Sequence, residues 1–339
     1  MRIVDLDEAV GVLKNGDRVY IHGGSATPHV LIDGMVALRE DLRNVEVVHM
    51  HTNGPAPYAE PEMEGRFRHN ALFIGPNVRQ AIQEGRADYT PVFLSEIPSL
   101  FAPGGPLPLD AAFLQVTPPD EHGQCSLGVS VDCALAAAKH AKTVVAQVNP
   151  RMPRTAGHSL AAADIDLAIE VDEPLPESEH EAPGPEAIAI GAHVASLIED
   201  GSTLQMGIGA IPAAVLAALT GHRDLGIHTE MFTESLLPLL KSGVVNGARK
   251  TINTGKTVSS FVVGNRELYD YLDGNERIAL RPVDYTNSVD VISAHDRMVA
   301  INSALSVDLT GQVVADSIGP RFYSGIGGQV DFIRGAARS

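Results

Sequence analysis

Residues 203–232 read TLQMGIGAIPAAVLAALTGHRDLGIHTEMF, and their order decides the fold class. Ser202 to Met206 is a short β-rich run, Ile211 to Thr220 is helical in pattern, and Asp224 to His228 is β-rich again. The same alternation extends outward in both directions. Asp17 to His22, Asn44 to His51, Ala111 to Val116, Lys142 to Val148, Thr257 to Val263 and Met298 to Ser303 read as strands. Val30 to Arg39, Val131 to His140, Pro185 to Glu199 and Leu236 to Ser242 read as helices, most of them flanked by Gly, Pro or Asn. Repeated βα units of this kind predict an α/β fold with mainly parallel sheets.

The turn Gly207-Ile208-Gly209-Ala210-Ile211-Pro212 has an echo at Gly23-Gly24-Ser25-Ala26-Thr27-Pro28, with Gly, Ala and Pro at the first, fourth and sixth positions of both. Each turn follows a strand and leads into a helix. The next strand then opens at Arg43-Asn44-Val45 in one copy and Arg223-Asp224-Leu225 in the other. The reading is an internal duplication: two similar α/β domains, 1–186 and 187–339, joined by the Pro- and Glu-rich stretch 172–186 at the end of the first. Gly-rich βα turns are common enough that coincidence is the competing account.

The 339 residues carry 25 Lys plus Arg against 42 Asp plus Glu, a formal net charge of -17. Such a surface opposes binding to nucleic acid or an anionic membrane, so neither is expected as a partner. The chain is long enough to bury a core without disulfides or metal. Cys125 and Cys133 are wrongly spaced for a disulfide framework or a zinc site and read as reduced core residues. The N-terminal MRIVDLDEAV mixes charges with apolar residues and so lacks a signal-peptide pattern, and no run of 18 apolar residues occurs; the expected location is cytoplasmic.

Three motifs invite chemistry and fail on detail. The turn at 207–212 resembles a dinucleotide fingerprint, but Pro212 stands where the third glycine would be, leaving only glycine N–H groups at a helix start suited to a phosphate or oxyanion. Asn253-Thr254-Gly255-Lys256-Thr257 ends like a P-loop, yet position 250 is Lys250 rather than glycine, and a solvated basic turn is expected. Asp120-Glu121-His122-Gly123-Gln124-Cys125 has no partner cluster at ligand spacing, so no metal site is expected. Glu230 differs in position: it follows the strand ending at His228, and ligands in open α/β folds bind beyond the carboxyl ends of strands. Spacing alone still favours a surface glutamate over a catalytic one.

A longer series of segments alters that balance: FIGPNVR at 73–79, GRADY at 85–89, PVFLSEIP at 91–98, PPDEHG at 118–123, QVNP at 147–150 and MPRT at 152–155. It continues through the 207–212 turn, HTE at 228–230, RPV at 281–283, YTN at 285–287, INS at 301–303, DLTGQ at 308–312 and SGIGGQVDF at 324–332. In these segments the chain resembles the acetyl-CoA hydrolase/transferase family, the glutamate-dependent CoA-transferases that act on acetate, succinate, butyrate or 4-hydroxybutyrate. The resemblance implies a ping-pong transfer in which Glu230 attacks an acyl-CoA thioester and passes through a mixed anhydride and a glutamyl-CoA thioester. It implies CoA or oxyanion contacts from Gly207, Ile208, Gly209, Ala210, Ile211, Asn287, Gly325, Gly327 and Gly328, and an orienting role for Ser25. Asn265 stands where many relatives carry Ser, which leaves the CoA-contact reading of that loop open.

The resemblance further implies a site between the two halves, CoA as a substrate with no permanently bound cofactor, and a homodimer or higher homo-oligomer. Two alternatives stay open: hydrolysis of a short-chain acyl-CoA with water as acceptor, and a non-catalytic CoA-binding fragment. Counted from its glycine turn, the second half is the shorter of the two. The expectation is therefore a second domain truncated at its C-terminal end.

Overall fold

A computed structural model describes residues 1–178 and 182–339. Residues 179–181 of the expected linker thus lie outside the described residues. The first half is built on eight strands in the order Arg2–Ile3, Leu167–Glu170, Thr143–Val148, Ala111–Val116, Arg18–Ile21, Val45–His49, Phe67–Ala71, Asp88–Tyr89. Every neighbouring pair in this sheet is parallel. Successive side chains of a strand point to opposite faces, and here both faces are covered. Val19 and Ile21 join one core with Val47 and Phe113, beneath the helices Leu6–Val10 and His29–Ala37. Tyr20 joins the other with Val48, Ala112 and Leu114. That second core runs without a break into the other half of the chain, through Leu204, Ile227, Phe261 and Leu280.

The second sheet begins with Met298–Ile301, Thr203–Met206 and Gly226–Ile227, all parallel. A parallel bridge from His228 to Val258 carries it on to Thr257–Ser259 and Ile278–Leu280. Its last strand, Ala156–Gly157, comes from the first half of the chain and pairs with Ala279 and Leu280. The helix Pro185–Ala195 packs on Ala210–Ala218 so closely that a Cβ at Gly191 would lie 2.7 Å from the backbone of Ala214. The strands and helices expected in both halves are present, and both main sheets are entirely parallel.

The echo extends to backbone conformation. Asn44 and Asp224 both adopt left-handed φ, at 55° and 56°. The residue before each donates its N–H to a side chain, Arg43 to Asn15 at 2.7 Å and Arg223 to Asp200 at 2.8 Å. Gly16 and Gly201, at φ 80° and 79°, then return their own N–H groups to the carbonyls of Arg43 and Arg223, each at 3.0 Å. Asn and Asp tolerate this region better than most residues, which accounts for their places in the repeat. No helix among the described residues is long and apolar enough to cross a membrane. Cys125 and Cys133 are free and buried, as expected.

Candidate active site

The strand Gly226–Ile227 is held at its end before it delivers Glu230. Thr229 donates its N–H to Val258 O at 3.1 Å, and Met206 donates its N–H to Thr229 Oγ1 at 3.2 Å. The carbonyl of Glu230 then accepts from the N–H groups of Ser260 (2.8 Å) and Phe261 (3.2 Å) and from Ser259 Oγ (2.9 Å). On its other side the same segment meets the first half, because Val131 donates its N–H to Ser260 O at 2.9 Å and Ser130 bridges Phe261. Glu230 therefore sits on a backbone fixed from both halves.

Its side chain is partly buried and faces two donors. Asn287 Nδ2 lies 3.3 Å from Glu230 Oε2, and Gly328 packs against the same oxygen with its N–H favouring the ionised form. Asn287 follows the short helix Val283–Thr286 and is fully buried; its Oδ1 has no hydrogen-bond partner among the described residues. Burial pushes the Glu230 carboxyl up to about 7; Asn287 and Gly328 oppose that rise, while the charges of Asp331 and Asp132 add to it. Asp331, itself raised by burial, accepts from Ser95 N–H at 3.1 Å and Ser95 Oγ at 3.0 Å. Asp132 accepts from Ser130 Oγ at 2.5 Å and from the N–H groups of Cys133 and Ala134.

Gly328 precedes the helix Gln329–Ala336, and the loop before it rests on the first half. A Cβ at Gly325 would meet the Phe73 ring at 2.9 Å, Tyr89 OH lies 3.3 Å from Ile326 N, and Arg79 Nε donates to Tyr323 O at 2.7 Å. Glutamate and amide thus come from the second half, while the backbone donor is carried on a loop braced by the first.

Of the residues singled out in sequence, Glu230, Asn287 and Gly328 come together. Gly325 and Gly327 pack on Phe73 instead. Gly207 to Ile211 form the exposed turn that starts the helix Ala210–Ala218, one strand away from Glu230 and linked to it through Thr229. Gly207, Ile208 and Gly209 line a small pocket with Pro212, Leu216 and Phe232. Ser25 is buried and lies 2.9 Å from the phenol oxygen of Tyr269, itself within 2.7 Å of Pro176 O. Asn265 caps the helix Arg266–Leu272 by accepting from Leu268 N–H at 3.1 Å, a role Ser fills equally well. In the basic turn Lys256 is exposed, but Lys250 is buried and donates to Ile227 O and Lys256 O, both at 2.8 Å. Sequence reasoning assigned no role to Asp132 or Asp331; the signals were an acid beside the start of the helix read from Val131 and an acid within the SGIGGQVDF segment.

A partly buried carboxylate held at near-neutral pKa beside an amide and a backbone N–H can attack a carbonyl carbon and leave those donors to meet the resulting oxyanion. Comparison with known proteins gives the family. A family model described as the acetyl-CoA hydrolase/transferase N-terminal domain matches residues 1–200, and one for the C-terminal domain matches residues 264–339. A succinyl-CoA:acetate/propanoyl-CoA:succinate CoA transferase from Fasciola hepatica is 48% identical, over 98% of this chain and 70% of that protein. A 4-hydroxybutyrate coenzyme A transferase from Clostridium kluyveri is 46% identical, over 99% and 78%. The crystal structure of a 4-hydroxybutyrate CoA-transferase from Porphyromonas gingivalis superposes with a TM-score of 0.85 at 42% identity, covering all of this chain and 78% of that one.

Proposed function

The chain belongs to the acetyl-CoA hydrolase/transferase family, and from that premise we propose that it moves CoA between a short-chain acyl-CoA and a carboxylate of the acetate, butyrate, succinate or 4-hydroxybutyrate type. The observation that carries the reading is the Glu230 carboxylate, poised near neutrality and met by Asn287 and Gly328. A carboxylate oxygen of Glu230 attacks the thioester carbon, the C–S bond breaks, and CoA leaves as thiolate from a mixed anhydride. The thiolate returns to the Glu230 carbonyl, releasing the acyl group as its carboxylate and leaving a glutamyl-CoA thioester. An acceptor carboxylate then repeats the two steps in reverse and frees Glu230. Each tetrahedral intermediate carries an oxyanion, for which Asn287 Nδ2 and Gly328 N–H are the nearest donors. An ionised glutamate needs no partner base, in accord with the absence of a Ser-His-Asp arrangement in the motifs.

The test is intact-protein mass spectrometry after incubation with acyl-CoA and no acceptor. The reading requires a CoA adduct that is missing in Glu230→Ala, together with transfer to added carboxylates that the variant lacks. Consumption of acyl-CoA that is equally fast with and without a carboxylate would instead assign hydrolysis with water as acceptor.

A further inference from the structure

Beneath Glu230 lies a buried group that the steps above do not use. His228, two residues before the glutamate, is fully buried and directs Nε2 at Thr286 O, 2.8 Å away. Thr286 immediately precedes Asn287. The bond therefore ties the strand end that delivers the nucleophile to the helix end that delivers its amide donor. Around the imidazole stand His295 with its ring centroid 4.7 Å away, Phe332 at 6.2 Å and Tyr285 at 6.3 Å. Phe332 comes from the helix that begins at Gly328, so the same side chain touches the elements bearing all three groups of the site.

We propose that His228 is a positioning residue for CoA transfer, its Nε2–H···O bond to Thr286 setting the Glu230 carboxylate and the Asn287 amide at reacting distance. The inference rests on the reading of Glu230 as nucleophile. A carbonyl oxygen only accepts, so the hydrogen resides on Nε2 and a neutral ring keeps Nδ1 bare; Nδ1 has no partner among the described residues. The surroundings on balance keep the ring neutral. Burial, His295 and Lys250 all oppose a charge on His228, against the single Thr286 bond that favours one. Lys250 approaches from the loop after Gly247 and anchors the carbonyl of Ile227, the residue before His228. Tyr285 faces the ring from the helix Val283–Thr286. A merely space-filling imidazole would need no such directed bond.

Misplacing a reacting group by about 1 Å costs roughly a hundredfold in rate, so loss of the tie should appear in kcat before it appears in substrate binding. The experiment compares H228L, H228N and H228Q with the wild type by steady-state transfer, each variant first shown folded by circular dichroism. Gln places its amide nitrogen near the position of Nε2, whereas Asn is too short to reach Thr286. The expected result is a fall in kcat on the order of tenfold or more in H228L and H228N, with KM for acyl-CoA changed less than about threefold, and recovery of most of that loss in H228Q. The acid limb of kcat/KM should also move to higher pH in H228L and H228N and return in H228Q, because the Asn287 amide that favours ionised Glu230 is displaced. A transferring wild type whose H228L keeps its kcat, or whose H228Q is as impaired as H228L, overturns the inference alone. A wild type that forms no CoA adduct and transfers nothing overturns the functional reading and this inference with it. If H228L does not fold, H228N against H228Q decides the same question.

Discussion

A Cβ placed on Gly328 would lie 1.9 Å from Oε2 of Glu230 and 2.3 Å from the amide nitrogen of Asn287. Contacts that short do not occur in folded proteins, and both neighbours are polar ends of the site rather than pliable apolar tails. Gly328→Ala should therefore push the glutamate away from its donors; alanine is a poorer N-cap than glycine, but the φ of -94° accepts it and the helix Gln329–Ala336 should stay folded. A loss in kcat on the order of a hundredfold is expected, with an unchanged circular dichroism spectrum. Activity within a few-fold of the wild type would show that the loop carrying Gly328 moves aside during turnover.

Asn287 separates two ways of disabling the site. Asn287→Ala removes one oxyanion donor and should lower kcat roughly a hundred- to a thousandfold. Asn287→Asp removes the donor and adds a charge 3.3 Å from Glu230 Oε2, so it should also raise the glutamate pKa further. Profiles of kcat/KM against pH distinguish them: an acid limb at higher pH in Asn287→Asp than in Asn287→Ala is the expected order.

The pH dependence of the unmodified enzyme follows from the same carboxyl. Attack requires ionised Glu230, and burial holds its pKa at about 7, so kcat/KM should rise with pH through that value and level off above it. The charge of Asp331 adds to the shift, which gives its removal a sign. In Asp331→Asn the acid limb should move to lower pH. Ser95→Ala keeps the Asp331 charge but takes away the hydroxyl bonded to it, so its limb should not move that way. Rate profiles of the two variants beside the wild type check both statements.

How much of this was legible in the chain depends on what kind of interaction made each element. Strands such as Ala111–Val116 are buried on both faces and announce themselves as apolar runs, and the two glycine turns each follow a parallel strand as their pattern implies. Phe67–Ala71 hid itself because His69 and Asn70 are buried within it, so its pattern reads as polar. Ala156–Gly157 is a two-residue strand whose existence depends on the backbone of Ala279 and Leu280, more than a hundred positions away in the chain. Glu230, Asn287 and Gly328 were named in advance through motif resemblance, but spacing could not tell Gly328 from Gly325 and Gly327. Only the packing of the last two on Phe73 separates a donor to the carboxylate from the bracing of its loop. Asp132 and Asp331 act on Glu230 through space, and no local pattern records a through-space charge.

The site carries a cost in stability that can be measured without substrate. Glu230 titrates at about 7 in the fold instead of its ordinary 4.5. A raised carboxyl pKa means that the native state holds its proton where the unfolded chain releases it. The native state is thus favoured fully below pH 4.5, and that advantage drains away as pH rises through 7. Above that value, holding the ionised side chain costs up to about 3 kcal/mol, less whatever solvent screening the partly exposed carboxylate receives. Glu230→Gln keeps the shape and removes the titration. Its melting temperature should exceed that of the wild type by several degrees at pH 8 and by clearly less at pH 5, where most wild-type molecules keep the proton. Groups remote from Glu230 titrate alike in both proteins and cancel in the difference, and Glu230→Gln also relieves the repulsion on Asp331 and Asp132, which adds to the gain at pH 8. Thermal denaturation of the pair at the two pH values measures it, and an equal offset at both, or a less stable glutamine variant at pH 8, would show that the carboxylate is not held against its solvation.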